Sequence, residues 1–317
     1  MLYQHKQVKI RKVSLRQQRG VAIIMALFIV ALVASMAYIM MARLERDTER
    51  TRLLLRNTQA MFYAEGSIAW AKDQLCTDWQ QRRPNQVVDA MPIQAKVMIN
   101  GYQMISTLED MQGRFNLNNL TQSAAQNDFV RLLRFVYPDL TQEKAQRITQ
   151  AIAARLSSSS ANEQGQATEA PPTTGLMHRR MVSLGELQQV PDMSPALFNA
   201  LAPYVVALPT TTLINIQTAS APVFTTLGDT VTLETANAIV QSREKNPFVS
   251  VAAFLSRDII KNHPVSAEKI TVMSQYFLLT TRITIEKQQS VLYTLLTRES
   301  GENNCMIRHI WQSKGIW

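Results

Sequence analysis

The 317-residue chain reads as an α+β protein, a long N-terminal helix packed on an antiparallel sheet that is interrupted by a large all-helical insertion. Three observations predict this. An apolar run near the N-terminus passes into a helical pattern, with no proline from Val21 to Arg83. Alternating, β-branched and aromatic segments lie on either side of the remainder, at Ile93–Leu108 and Tyr276–Trp311. Between them, from Thr121 to about Ser274, the apolar period is helical.

The first element is the plainest. Val21 to Ala42 contains no charge, proline or glycine, and 22 helical residues span roughly 33 Å, enough to cross a bilayer core. Lys6, Lys9, Arg11, Lys12, Arg16 and Arg19 precede it without one acid. The positive-inside rule therefore puts residues 1–20 in the cytoplasm and the rest across the membrane. A cleaved secretory signal would have a shorter apolar region and a small-residue cleavage site. Beyond Ala42 the helical pattern continues through Leu44, Thr48, Thr51, Leu55, Thr58, Phe62, Gly66, Ala69 and Asp73. Leu54, Leu55, Met61, Phe62, Ile68, Ala69 and Leu75 form its apolar cluster, so one helix of about 55 residues is expected, amphipathic in its second half.

Gln17-Gln18-Arg19-Gly20 followed by Val21-Ala22-Ile23-Ile24-Met25 resembles a type IV prepilin leader. That resemblance implies cleavage between Gly20 and Val21 by a membrane aspartyl prepilin peptidase, and methylation of the new Val21 amine. A signal anchor with a fortuitous Arg19-Gly20 is the competing reading. Pilins and most pseudopilins carry glutamate at the fifth mature position, where this chain has Met25. In those filaments the carboxylate is thought to neutralise a neighbour's N-terminal amine. A subunit lacking it can receive such a glutamate but cannot offer one, which suits the first, distal subunit. Drift of a single residue is the bland alternative.

In the body, Ile93–Leu108 reads as a hairpin turning at Asn100-Gly101. A turn at Gln112-Gly113 and a short alternating strand over Phe115–Leu120 follow. Helices are expected around Phe129–Leu133 and Lys144–Ile152, separated by Pro138. Residues 157–175, with four consecutive serines and Pro171-Pro172, read as a flexible loop. Two helix-hairpin-helix-like (SAM-like) units come next. One runs from Val182 through Pro191-Asp192 to Tyr204; the other runs from Asn215 through Leu227-Gly228-Asp229 to Ser250. Such hairpins can present turn amides to phosphate, but Asp229 and Glu234 oppose that, so no nucleic-acid partner is expected. Strands at Tyr276–Ile285, Val291–Leu296 and Cys305–Trp311 close the chain. The domains read as leader 1–20, membrane half-helix 21–42, sheet domain 43–120 and 275–317, and insertion 121–274.

This arrangement, with Met25, resembles the K-type minor pseudopilins of type II secretion systems. Gly113-Arg114-Phe115-Asn116-Leu117-Asn118 is similar to that family's G-R-x-N-x-N stretch, and Asn215–Ala219 with Arg243–Phe248 to its second hairpin unit. The resemblance implies a pilin-like fold and a non-enzymatic subunit at the tip of a periplasmic pseudopilus. Such a subunit initiates or caps assembly and supports export of folded proteins across the outer membrane. Its partners would be I- and J-type minor pseudopilins, the prepilin peptidase and the inner-membrane assembly platform. A minor pilin of a type IV pilus, serving adhesion or DNA uptake, is the alternative. K-type relatives can bind calcium in the helical domain; this sequence has no EF-hand-like run of acids, so ligands are not assignable. No cofactor is required by the reading.

Composition agrees. The net charge of +9 falls to +3 once the six leader cations are set aside, so the basic balance belongs to the leader. His5, His178, His263 and His309 have no Cys or carboxylate at ligand spacing, and nucleotide-binding and nucleophile motifs are missing, which argues against an enzyme. Glu109 and Asp110 read as turn residues. Cys76 and Cys305 match neither a zinc cluster nor a redox pair. They are either two unrelated buried thiols or a disulfide, permitted if the body lies in an oxidising compartment.

Overall fold

The computed structural model describes residues 16–81, 91–99, 102–157, 180–285, 288–300 and 305–314. The first fifteen leader residues, the loop from 158 to 175, the Asn100-Gly101 turn, His5 and His178 lie outside these. The chain forms two compact units, residues 1–61 and 62–317.

Helix α1 spans Arg16–Gln81, 66 residues. It is eleven residues longer than expected because nothing interrupts it at either end. Arg16, Gln17 and Gln18 are good helix formers, Gly20 is tolerated, and the first proline beyond Val21 is Pro84. In the first unit its large apolar side chains are exposed, Val21, Phe28 and Tyr38 among them. The helix is long and apolar enough to cross a membrane.

In the second unit, α1 packs on a five-stranded sheet. The strands are β1 (Ile93–Ile99), β2 (Tyr102–Asp110), β7 (Tyr276–Ile285), β8 (Gln288–Ser300) and β9 (Cys305–Lys314), numbered along the chain with the short strands β3–β6 of the insertion between. Their order is β1-β2-β7-β8-β9, antiparallel throughout. Ile99 opposes Tyr102 at the end of the β1–β2 ladder.

Ala64, Ser67, Ile68, Ala71 and Leu75 are the buried face of α1 in this unit; Ile68, Ala71 and Leu75 pack with Leu108, Phe277, Leu279 and Leu296, and Ser67 lies against Met104. Three of these five are small, so helix and sheet approach closely, and the Ser67 and Ser106 hydroxyls meet at 2.9 Å. Ile68 and Leu75 are buried as expected, but the rest of the expected face is corrected. Thr58, Phe62, Gly66, Ala69 and Asp73 lie on the exposed side, and Phe62 is 72% exposed. Periodicity located a stripe, but the sheet selected the side whose small residues let it come near.

The insertion contains β3 (Phe115–Asn116), α2 (Ser123–Val136), α3 (Gln142–Ser157), α4 (Pro195–Leu201), β4 (Val205–Val206) and β5 (Ile214–Asn215). It continues with α5 (Ala221–Phe224), α6 (Leu233–Lys245), α7 (Val251–Leu255), α8 (Asp258–Lys261) and β6 (Ile270–Thr271). Ser194, Thr232 and Ser250 cap α4, α6 and α7 by accepting from the amide three residues on, each worth about 1 kcal/mol. The insertion is helical but not wholly so: β3 pairs with β4 and β5 with β6, both parallel.

The alternating strand expected over Phe115–Leu120 is only two residues long. Leu117–Thr121 turn as a 3₁₀ helix because the Asn116 side chain accepts from the Asn118 amide. Phe115, Leu117 and Leu120 belong to the insertion's core with Phe129, Phe224 and Phe254, so the boundary placed at 120/121 falls inside that domain. The first hairpin unit opens with a 3₁₀ turn, Leu184–Gln189, held by a Ser183–Glu186 capping box.

Candidate functional site

The insertion leaves the sheet at the end of β2 and returns at the start of β7, and these strands are neighbours, with Asp110 opposite Phe277. Outgoing and returning backbones therefore run side by side, and their polar groups must be satisfied away from water. A knot of side chains does this.

Asp110 was read as a turn residue; it is the buried last residue of β2. Its carboxylate accepts from the Gln112 N–H (2.8 Å), Asn215 Nδ2 (2.7 Å) and the Thr218 hydroxyl. Burial pushes its pKa above the ordinary value, against hydrogen bonds from Ser274, Thr218, Gln112 and Asn215. Gln112 spans both crossings. Its Nε2 donates to the Leu213 carbonyl (3.1 Å), and its Oε1 accepts from the Gln275 and Tyr276 amides. Asn215 Nδ2 also donates to Ser274 Oγ at 2.9 Å.

The stretch quoted from the sequence continues the knot. At Gly113 a Cβ would lie 2.6 to 2.9 Å from Thr218 atoms, so only glycine fits without movement. Arg114 is half-buried, with the Glu109 carboxylate 4.0 Å away; burial lowers its pKa while Glu109 and Asp110 oppose the shift. Asn116 Nδ2 donates to the Thr210 carbonyl (2.7 Å) and its Oδ1 accepts from the Leu208 amide (3.1 Å). Asn118 Nδ2 donates to the Met181 and Leu208 carbonyls (2.9 and 2.7 Å), and its Oδ1 accepts from the Met181 amide (2.9 Å). Asn119 holds Thr212 through both amide atoms.

Arg243, in the second hairpin unit, donates to the Ile216 and Ala219 carbonyls (3.0 and 2.6 Å) and lies over the Phe224 ring. At Gly228 a Cβ would meet the Pro264 carbonyl oxygen at 2.9 Å, so this turn glycine serves a close approach of two backbone segments. Sequence reasoning missed Arg298. It is buried on β8 and donates to the Ser274 carbonyl (2.8 Å) and, at 3.4 Å, to that of Leu75, joining the returning chain to α1. Its signal was a lone cation at the end of an apolar strand. Gln112 and Asn119 flank the quoted stretch, with nothing to distinguish them from solvated turn residues.

The other sequence-predicted positions lie elsewhere. Gly20, Val21 and Met25 are exposed on α1, Met25 at 64%. Cys76 on α1 and Cys305 on β9 are joined by a disulfide, with Cα atoms 5.5 Å apart. His263 is half-buried and His309 exposed. Among the described residues no three His, Cys, Asp or Glu side chains are grouped to hold a metal. The knot spends its side-chain amides on backbone groups and on one another's polar side chains, and what it accomplishes is to fix a domain in a sheet.

Two family models described as type II secretion system protein K match residues 113–210 and 214–273, together the extent of the insertion. A Klebsiella pneumoniae type II secretion system protein K is 27% identical over 89% of this chain and 93% of its own length. A protein of the same description from Pseudomonas aeruginosa is 27% identical over 94% of each chain. Among solved structures, a chain of the GspK-GspI-GspJ complex from the enterotoxigenic Escherichia coli type 2 secretion system superposes with a TM-score of 0.67. It is 20% identical, and the match covers 84% of this chain and 99% of that one.

Proposed function

Because this chain belongs to the type II secretion system protein K family, we propose that it is the non-enzymatic minor pseudopilin at the tip of the pseudopilus. There it initiates or caps assembly and supports export of folded proteins from the periplasm across the outer membrane. Residues 21–42 anchor it in the inner membrane by a single pass, with the leader cytoplasmic and the body periplasmic. Prepilin peptidase cuts between Gly20 and Val21, and the Val21 amine is methylated. I- and J-type minor pseudopilins are its partners, consistent with the complex in which the structural neighbour was solved, and the inner-membrane platform receives it.

The observation that carries this reading is Met25. It is an exposed apolar side chain within the uninterrupted apolar run of α1, at the position where a filament subunit would offer its neighbour a carboxylate. The insertion supports it, because a whole domain placed between β2 and β7 is too bulky to repeat along a thin filament. Deleting the gene and assaying secreted hydrolases, twitching and transformation provides the test. Loss of secretion with normal twitching is expected; normal secretion with lost twitching would instead make the protein a type IV minor pilin. Capture of the I- and J-type proteins by residues 43–317 is the biochemical counterpart.

A further inference from the structure

We propose that α1 carries a lipid-headgroup site just beyond its apolar run, where Arg43, Arg46 and Arg50 form a basic stripe that binds an anionic phospholipid surface. The inference rests on the reading that residues 21–42 span the membrane. At about 100° per residue the three arginines fall within about 60° of one another around the helix. Along its axis they lie roughly 1.5, 6 and 12 Å past Ala42. The headgroup layer is about 5–8 Å thick on each side of the core, so Arg43 and Arg46 sit within it. Arg50 remains about one Debye length from the surface at physiological salt.

The stripe is available. All three side chains are exposed, and among the described residues none is in an ion pair, although Glu45, Asp47 and Glu49 occupy the same turns. Glu49 pairs with Arg52 at 3.5 Å. Measured from the middle of the stripe, Glu45 and Glu49 lie about 130° and 90° round, Glu49 being about 60° from Arg46, and Asp47 flanks it about 40° from Arg43. The Arg46 side chain also turns back, its Nε 3.1 Å from the Ala42 carbonyl oxygen, so its cation is directed along the helix towards the end of the apolar run. That is the direction in which an arginine reaches phosphate at a bilayer surface. A cation meant for an acid on a partner helix gains nothing by turning that way.

The test uses the full chain reconstituted in phosphatidylcholine–phosphatidylglycerol vesicles. Spin-labelled versions of each lipid report which is motionally restricted against the protein. The wild type is expected to favour the anionic lipid. The R43Q/R46Q/R50Q variant should lose at least about twofold of that preference. One surface arginine is worth up to about fivefold for a single headgroup, diluted over the lipids ringing the helix, and added salt should shrink the difference. The K72Q/K96Q/K144Q variant removes the same charge from exposed positions away from the stripe and should keep the preference. An equal fall in both variants, or a fall in neither, overturns the proposal. So does an unchanged preference coupled to loss of the I- and J-type proteins, which would assign the arginines to a protein partner. If neither lipid is restricted, the span itself fails and the proposal fails with it.

Discussion

Replacing Asn118 with alanine tests whether the polar knot holds the insertion in place. The carboxamide makes three hydrogen bonds, two donated to Met181 and Leu208 carbonyls and one accepted from the Met181 amide, all buried. Each such bond contributes about 1 kcal/mol net, and three backbone groups would be left without partners where water does not reach. The expected loss is about 3 kcal/mol. Urea unfolding of the full chain in mild non-ionic detergent, followed by tryptophan fluorescence, should show a midpoint lower by about 1–2 M. Asn237→Ala, at an exposed position on α6, should stay within about 0.5 kcal/mol of wild type. An Asn118→Ala protein equally close to wild type would refute the reasoning, because the hydrogen bonds would then be incidental to stability.

Gly113→Ala should destabilise by about 1–3 kcal/mol, since its Cβ meets Thr218 backbone atoms below 3.0 Å. Gly66→Ala, where a Cβ meets nothing within 4 Å on an exposed helical turn, should stabilise by up to about 1 kcal/mol; calorimetry compares the two. The raised pKa of Asp110 means the folded chain binds its proton more tightly than the unfolded chain does. The stabilising contribution is therefore full below the ordinary carboxyl value of 3.8 and is lost as pH rises through the folded value. Asp110→Asn should flatten that part of the stability–pH profile, and an unchanged profile would refute it. Cys76→Ser should cost roughly 2–5 kcal/mol, the disulfide closing a loop 229 residues long in sequence. Intact-mass analysis of the wild type without reductant should show two hydrogens fewer than with it.

The spanning helix, the hairpin, the closing strands and the helical character of the middle were legible because each depends on local pattern. An unbroken apolar run in lipid has no alternative to helix, and Asn-Gly between alternating segments leaves few alternatives to a tight turn. The side of α1 that is buried was not legible beyond Ile68 and Leu75. Phe62 and Leu55 outweigh Ala64 and Ala71 on any hydropathy scale, yet closeness of approach to the sheet favoured the small residues. Nor was the role of Gln112, Asn118 or Arg298, whose partners lie tens to hundreds of positions away.

The sequence by itself determined which segments are apolar helix, strand or turn. It also held the leader-like Arg19-Gly20 junction and Met25, since these are properties of neighbouring residues. Tertiary structure decided that Asp110 is a buried strand end rather than a turn, that Phe115–Leu120 belong to the insertion, and that Cys76 meets Cys305. Each of those depends on adjacency between distant segments. That adjacency exists because β2 and β7 pair as neighbours and bring the two crossings of the inserted domain side by side.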